Sequence, residues 1–230
     1  MGRRMICENI VTTNLTYTVS EGGSQRNILN GIDCSIPKGK LTTISGPSGS
    51  GKTTFMYALS GLSEGVKGEV DFGDVSLYSL TQKERDHFRL QHIGFIFQHL
   101  NLFGFMNVED NIKLNYILRN EKVSRSVEEK IDQYLDIMNL GKIRKKEIQT
   151  LSGGEKQRVA IIRAFISGAE YIFADEPTGN LDRENSLLFM DCLKKIMKEK
   201  AATVVLVTHD NKILNYGDSQ MIIEDGKLLK

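Results

Sequence analysis

The sequence predicts an α/β protein built on a mainly parallel sheet, and three observations carry that prediction. Short apolar runs that end on polar residues alternate with helical patterns along most of the chain, the order that lays helices over the faces of a parallel sheet. A glycine-rich run, Gly46 to Gly51, stands directly between one such apolar run and a helical pattern. The chain has 230 residues, 40% of them hydrophobic, with 30 Lys+Arg against 29 Asp+Glu, which suits one ordinary globular domain.

In chain order, residues 15–19 and 28–36 read as strands divided by a Gly/Ser/Asn-rich turn at 22–27, and Leu41–Ser45 as a third strand. Periodicity places helices at residues 52–62, 81–91, 107–119, 126–138, 153–167, 183–200 and 210–216. Buried strands are expected at residues 93–97, 171–175 and 203–208. The chain closes on a hairpin, residues 220–224 and 227–229 about the turn pair Asp225-Gly226. Residues 107–146 hold helices and no strand, so they are expected to form a helical lobe on the sheet domain. The basic clusters Lys142, Arg144, Lys145, Lys146 and Lys194, Lys195, Lys198, Lys200 read as solvated helix faces.

A net charge of +1 argues against an electrostatic grip on nucleic acid or anionic lipid as the main activity, because either needs a clear basic surplus. The longest apolar stretch, residues 201–207 with one threonine inside it, is far short of the roughly 20 residues that cross a bilayer. Met1-Gly2-Arg3-Arg4 is followed by no apolar segment of secretory type. Cys7, Cys34 and Cys192 are scattered singly, which fits small buried hydrophobes in a reducing compartment.

The chemistry begins at Gly46-Pro47-Ser48-Gly49-Ser50-Gly51-Lys52-Thr53-Thr54. Two glycines five positions apart, then a lysine and a hydroxyl residue between a strand and a helix, form the phosphate-binding loop pattern in its required context. The glycines let successive N–H groups turn inward at phosphate oxygens, and the following helix offers its positive end to the same anion. Lys52 is then placed to reach the β- and γ-phosphates, Thr53 to ligate Mg²⁺, and Ser48, Ser50 and Thr54 to add hydrogen bonds. Farther on, the apolar run 171–174 ends in Asp175-Glu176. Asp175 would hold the metal through water, and Glu176 could polarise an attacking water.

Leu151-Ser152-Gly153-Gly154-Glu155-Lys156-Gln157-Arg158 adds a second anion-binding surface. Ser152 is a helix N-cap with Glu155 three residues on, a capping box, and the two glycines leave the first N–H groups uncovered. Two such surfaces about 100 residues apart suggest a nucleotide shared between two protomers.

With these residues in place the whole chain resembles the ATP-binding subunits of ABC transporters, in which LSGGEKQR is the signature motif that closes over the γ-phosphate of ATP held by a partner's phosphate loop. The resemblance implies a phosphate-loop NTPase core with a mainly parallel sheet, an N-terminal antiparallel β subdomain and a helical signature-motif subdomain at about 99–168, all within one ATPase domain. By the same resemblance Gln98 is the glutamine that contacts Mg²⁺ and senses the membrane subunit. Asp182, in Gly179-Asn180-Leu181-Asp182, lies in the loop that crosses the dimer interface, and His209 is the switch histidine on the γ-phosphate. Tyr17 stands where the family stacks an aromatic ring on adenine; the alternative for a tyrosine in an early strand is core or surface packing. Asp175-Glu176-Pro177-Thr178-Gly179-Asn180-Leu181-Asp182, with residues 95–103, narrows the resemblance to the lipoprotein-release, macrolide-export, cell-division and peptide-antibiotic-resistance group. Ala169-Glu170 in place of Asp-Pro, and a basic stretch at 142–147, depart from that pattern.

The implied partners are a second ATPase subunit and a membrane permease, the latter placing the chain on the cytoplasmic face of the cell membrane, with ATP and Mg²⁺ bound. Leu100, Leu102, Phe103, Phe105 and Met106 read either as an apolar docking surface or as core. A soluble ABC ATPase of translation or DNA repair is the rival, as is an ATPase that works a signalling or cell-division complex. The single unit and the lack of a sustained heptad run between Lys52 and Ser152 weigh against the first.

Overall fold

The computed structural model describes residues 9–21 and 23–229; the expectations for residues 1–4, Cys7 and Gly22 concern positions outside that set. The chain runs β1 (Ile10–Glu21), β2 (Ser24–Ile36), β3 (Leu41–Ser45), α1 (Lys52–Leu59), β4 (Lys67–Phe72), β5 (Val75–Ser76), α2 (Gln82–His92) and β6 (Ile93–Ile96). It continues α3 (Val108–Leu118), α4 (Arg125–Ile137), α5 (Gly153–Ile166), β7 (Tyr171–Asp175), α6 (Arg183–Lys200), β8 (Thr203–Val207), α7 (Asn211–Leu214), β9 (Ser219–Glu224) and β10 (Lys227–Leu229). The helices fall where the sequence expects them, with ends differing by a few residues.

Two sheets result. The larger has the order β10-β9-β3-β8-β7-β6, parallel except for the terminal hairpin. Every residue of β7 and β8 is buried, and their alternate side chains serve two cores. Tyr171, Phe173, Val205 and Val207 pack with α1 and the smaller sheet. Ile172, Ala174, Val204 and Leu206 pack with residues of α3 to α6. That period of two is why the strands read as continuous apolar runs.

The smaller sheet, β2-β1-β4-β5, is antiparallel throughout, and it is less legible in the sequence. β1 is longer than residues 15–19 because its pairing slips between Thr12 and Leu15, where Asn14 adopts φ 50°; such a bulge breaks the alternation that marks a strand. Ser24 to Asn27 are strand rather than turn. β4 and β5 are short, and only Glu69-Val70-Asp71-Phe72 of β4 alternates, with Val70 and Phe72 buried. Gly68 allows β4 to approach β1, since a Cβ there would stand 2.3 Å from the Asn14 carbonyl oxygen.

The basic cluster at 142–146 departs from a solvated face. Arg144 pairs with Glu109, Glu128 and Asp132, and Lys113 with Glu109 and Glu128, while Lys145 Nζ lies 2.7 Å from Glu109. Glu109, with its side chain 8% exposed, is the centre of a network joining α3, α4 and the strandless segment before α5. Lys194 and Lys200 lie over the rings of Tyr216 and Tyr134, so only Lys195 and Lys198 of the second cluster are plain surface residues. Cys192 is buried and Cys34 half-buried, and both are free.

Burial alone would raise the Glu109 carboxyl, but hydrogen bonds from Arg144, Lys113 and Lys145 hold it down to about 2. Its folded pKa thus lies below an unfolded value of about 4.3, so its contribution is complete above that pH and is lost as pH falls toward about 2. Glu109→Gln is expected to cost roughly 2 kcal/mol at pH 7, a fall of about 5 °C in Tm, and thermal melts should show the gap to wild type closing below about pH 4.

Candidate active site

The loop from Gly46 to Gly51 joins β3 to α1. Gly46, Gly49 and Gly51 all take positive φ, 144°, 76° and 101°, and two of them also allow close backbone approach. A Cβ on Gly46 would stand 2.0 Å from the Ile223 carbonyl oxygen, and one on Gly51 2.9 Å from that of Ile28. The terminal hairpin braces the loop from behind. Gly226 N–H donates to the Ser50 carbonyl at 3.0 Å, and Asn30 N–H donates to the Gly226 carbonyl at 2.9 Å. Lys52, 8% exposed, donates its ammonium to the carbonyls of Gly46 (2.9 Å) and Pro47 (2.7 Å). The ammonium is thereby fixed at the start of the loop, beside the N-terminus of α1.

A cleft of about 770 Å³ opens over the loop, lined by Tyr17, Val19 and Ile28 from the smaller sheet, by Gly46, Ser48, Gly49, Gly51, Lys52, Thr53 and Thr54, and by Glu176 and His209. Residues distant in sequence and expected at one site are therefore brought to it. Pro47 and Ser50 are not in the lining; the Ser50 hydroxyl is buried and unpaired, so Ser50 meets the hairpin through its carbonyl instead of presenting its side chain to the cleft.

Beneath the cleft, Thr53 Oγ1 donates to Asp175 Oδ1 at 3.1 Å, and Tyr57 OH approaches Asp175 Oδ2 at 3.4 Å. Burial pushes the Asp175 carboxyl up and the adjacent Glu176 charge adds to that, while the bonds from Thr53 and Tyr57 and the Lys52 charge pull it back. A hydroxyl and a carboxylate oxygen side by side next to a phosphate loop form a hard-oxygen donor pair that fits Mg²⁺, which needs one or two protein ligands besides phosphate and water. Glu176 follows at φ 42°, a left-handed conformation that turns its side chain toward the cleft mouth. Its N–H donates to Val207 O at 3.0 Å, and its Oε1 lies 3.2 Å from His209 Nδ1.

The remaining expected residues lie outside this lining. Ser152, Gly153, Gly154 and Glu155 open α5 with the anticipated capping box, and nothing stands within 4 Å of a Cβ built on Gly153. Asp182 caps α6, accepting from Asn185 N–H at 2.8 Å. Gln98 is exposed, with Nε2 3.9 Å from a Cβ built on Gly179, so it touches the loop after β7 rather than the Thr53–Asp175 pair. The open question over residues 100–106 divides. Leu100 and Leu102 pack on the core, while Phe103 is 41% and Phe105 80% exposed.

Sequence reasoning missed Tyr57, although its i,i+4 spacing from Thr53 puts both on one face of α1. It also missed Gly226 and Asn30, whose roles depend on chain segments at opposite ends of the sequence. Among the described residues no helix is long and apolar enough to cross a membrane.

Comparison with known proteins agrees with this geometry. Residues 29–179 match the family model described as ABC transporter. The bacitracin export ATP-binding protein BceA of Halalkalibacterium halodurans is 36% identical over 217 residues, which cover 94% of this chain and 85% of that protein. The lipoprotein-releasing system ATP-binding protein LolD of Legionella pneumophila is 34% identical over 220 residues, 95% and 96% of the two chains. The dimeric structure of a post-hydrolysis state of the ATP-binding cassette MJ0796, bound to ADP and Pi, aligns with TM-score 0.86 and 31% identity over 96% of this chain and 97% of that one. With the phosphate loop, the acidic strand end and the capped signature helix all in place, the chain belongs to the ABC transporter family, as one of its ATP-binding, ATP-hydrolysing subunits.

Proposed function

We propose that two copies of this chain sandwich two MgATP molecules, each held between the loop 46–54 of one copy and Ser152-Gly153-Gly154 of the other, and that closing and opening of this dimer drives a separate membrane permease. The observation that carries the reading is the separation of two anion-facing helix starts. That of α1 lines the cleft, whereas that of α5 is capped, uncovered at Gly153 and outside it. A second copy supplies what the first cannot bring to its own cleft. The dimeric form of MJ0796 supports this arrangement.

Within each site Tyr17 stacks on the adenine, and the N–H groups of the loop, with Lys52, Ser48 and Thr54, hold the phosphates. Thr53 and Asp175 would hold Mg²⁺, Asp175 through water, and Gln98, which lies beside Gly179, would be the further ligand. The bound ion neutralises phosphate charge. Glu176 accepts a proton from the attacking water, and His209, beside Glu176, orients on the γ-phosphate. γ-Phosphate bridges both copies through charge-assisted bonds, and its loss on hydrolysis releases them. Asp182 lies along the interface.

The helical region of about 99–168 carries both the exposed Phe103 and Phe105 and the signature helix. We assign the former as the contact with the permease, which places the subunit peripherally on the cytoplasmic face of the membrane. The relatives that release lipoproteins and export bacitracin point to lipoprotein or peptide extraction, or to transmission of force to an extracytoplasmic domain.

Glu176→Gln is expected to bind ATP and to migrate as a dimer with ATP in size-exclusion chromatography, while turnover falls by about 10²- to 10⁴-fold; a monomer in saturating MgATP would overturn the sandwich. Lys52→Ala should lose roughly 10- to 100-fold in nucleotide affinity, read by fluorescence titration with a labelled ATP analogue, and unchanged affinity would contradict the placement of the loop.

A further inference from the structure

The loop from Glu176 to Asp182 carries the proposed general base at its start and the proposed interface residue at its end. The signature helix α5 is in contact with both ends. At the start, Gln157, 4% exposed, donates its side-chain amide to the carbonyl of Pro177 at 2.7 Å. At the far end, Asn185 holds both carboxylate oxygens of Asp182, through N–H and Nδ2, each at 2.8 Å. A Cβ built on Gly154 would stand 2.9 Å from Asn185 Oδ1, so the first turn of α5 rests directly against that clamp.

The chemistry of Gln157 is informative. Its Oε1 is buried with no partner, and an orphaned amide oxygen costs about 1–3 kcal/mol. An apolar side chain of similar length would avoid that cost but would leave the buried Pro177 carbonyl without its partner. The amide satisfies one buried carbonyl, that of Pro177, the residue after Glu176. Glu176 itself sits at φ 42°, a conformation that persists only where the surroundings over-determine it. Its N–H is fixed on Val207 and its carbonyl accepts from Gly179 N–H at 3.1 Å; the Gln157 bond holds the next carbonyl.

We propose that Gln157 is a positioning residue that couples the two nucleotides of the dimer. Its helix start faces the ATP bound to the partner copy, and its side chain holds the Pro177 carbonyl, next in the chain to the Glu176 that acts on the ATP of its own copy. Engagement of the γ-phosphate at Ser152-Gly153-Gly154 fixes α5, and through Gln157 it aligns Glu176 at the other site. The inference rests on the sandwich reading above.

The test compares the purified chain with Gln157→Met, which keeps length and removes both the donor and the orphaned oxygen. Expected are a Tm only a few degrees below that of wild type, from the unpaired Pro177 carbonyl, unchanged affinity for the labelled ATP analogue, and an ATP-dependent dimer that still forms in the Glu176→Gln background. kcat should fall roughly 10- to 100-fold, and the Hill coefficient for ATP should drop toward 1. Gln157→Glu, which places an acceptor against the Pro177 carbonyl, should lose kcat as well. A Gln157→Met chain that keeps both its kcat and its Hill coefficient overturns the coupling role even where wild type is dimeric and cooperative. Loss of ATP-analogue affinity, or of the dimer in the Glu176→Gln background, together with the activity shows a merely structural residue and overturns it too. If the Glu176→Gln chain forms no dimer with ATP, the sandwich reading fails, and this inference fails with it.

Discussion

The nucleotide site depends on one steric constraint, the approach of two backbone carbonyls to glycines of the phosphate loop. Ile28 belongs to the antiparallel sheet and Ile223 to the parallel one, and they press on Gly51 and Gly46 respectively. The loop is thus the place where the two sheets meet. Its curl, which turns N–H groups toward phosphate, is imposed by that meeting as much as by its own sequence. Everything downstream follows from its position: α1 starts at Lys52, Thr53 is delivered to Asp175 at the end of β7, and Tyr17 of β1 looks across the same cleft.

A second layer of constraint is electrostatic. Asp175 is buried at a strand end, and its carboxyl is pushed up by that burial, so it has a standing demand for a positive partner. Thr53, Tyr57 and Lys52 meet that demand in part, and a divalent cation between a hydroxyl and a carboxylate meets it more fully. Glu176, one residue on, escapes the same burial because its left-handed backbone turns it outward to His209. Adjacent carboxylates are given different surroundings, one buried against Thr53 and Tyr57 and the other turned to His209.

The functional class was legible because its chemistry is written in contiguous runs. Gly46 to Thr54, Asp175-Glu176 and Ser152 to Glu155 each combine with a neighbouring strand or helix, and each lies where that local pattern places it. The parallel strands were legible too, since β7 and β8 are buried on both faces and read as plain apolar runs. What escaped the sequence depends on partners far away. β4 alternates over only four residues, Glu69 to Phe72, and is completed by pairing with β1 around Gly68. Arg144 looked like one member of a basic surface until Glu109, 35 residues earlier, appeared beside it. Gln157 lies inside a motif that draws attention to its first four residues, and its bond to Pro177 can be seen only once α5 and β7 are packed.

The brace of the terminal hairpin on the phosphate loop has a meaning for the order of assembly. Asn30 and Asp225 are 195 residues apart in sequence, and contacts of such separation form late, because the entropy of closing the chain must be met before they give anything back. Gly46 cannot be held against Ile223 until β9 has joined β3. A subunit in which β9 has not yet joined β3 therefore lacks the brace behind the loop at Gly46.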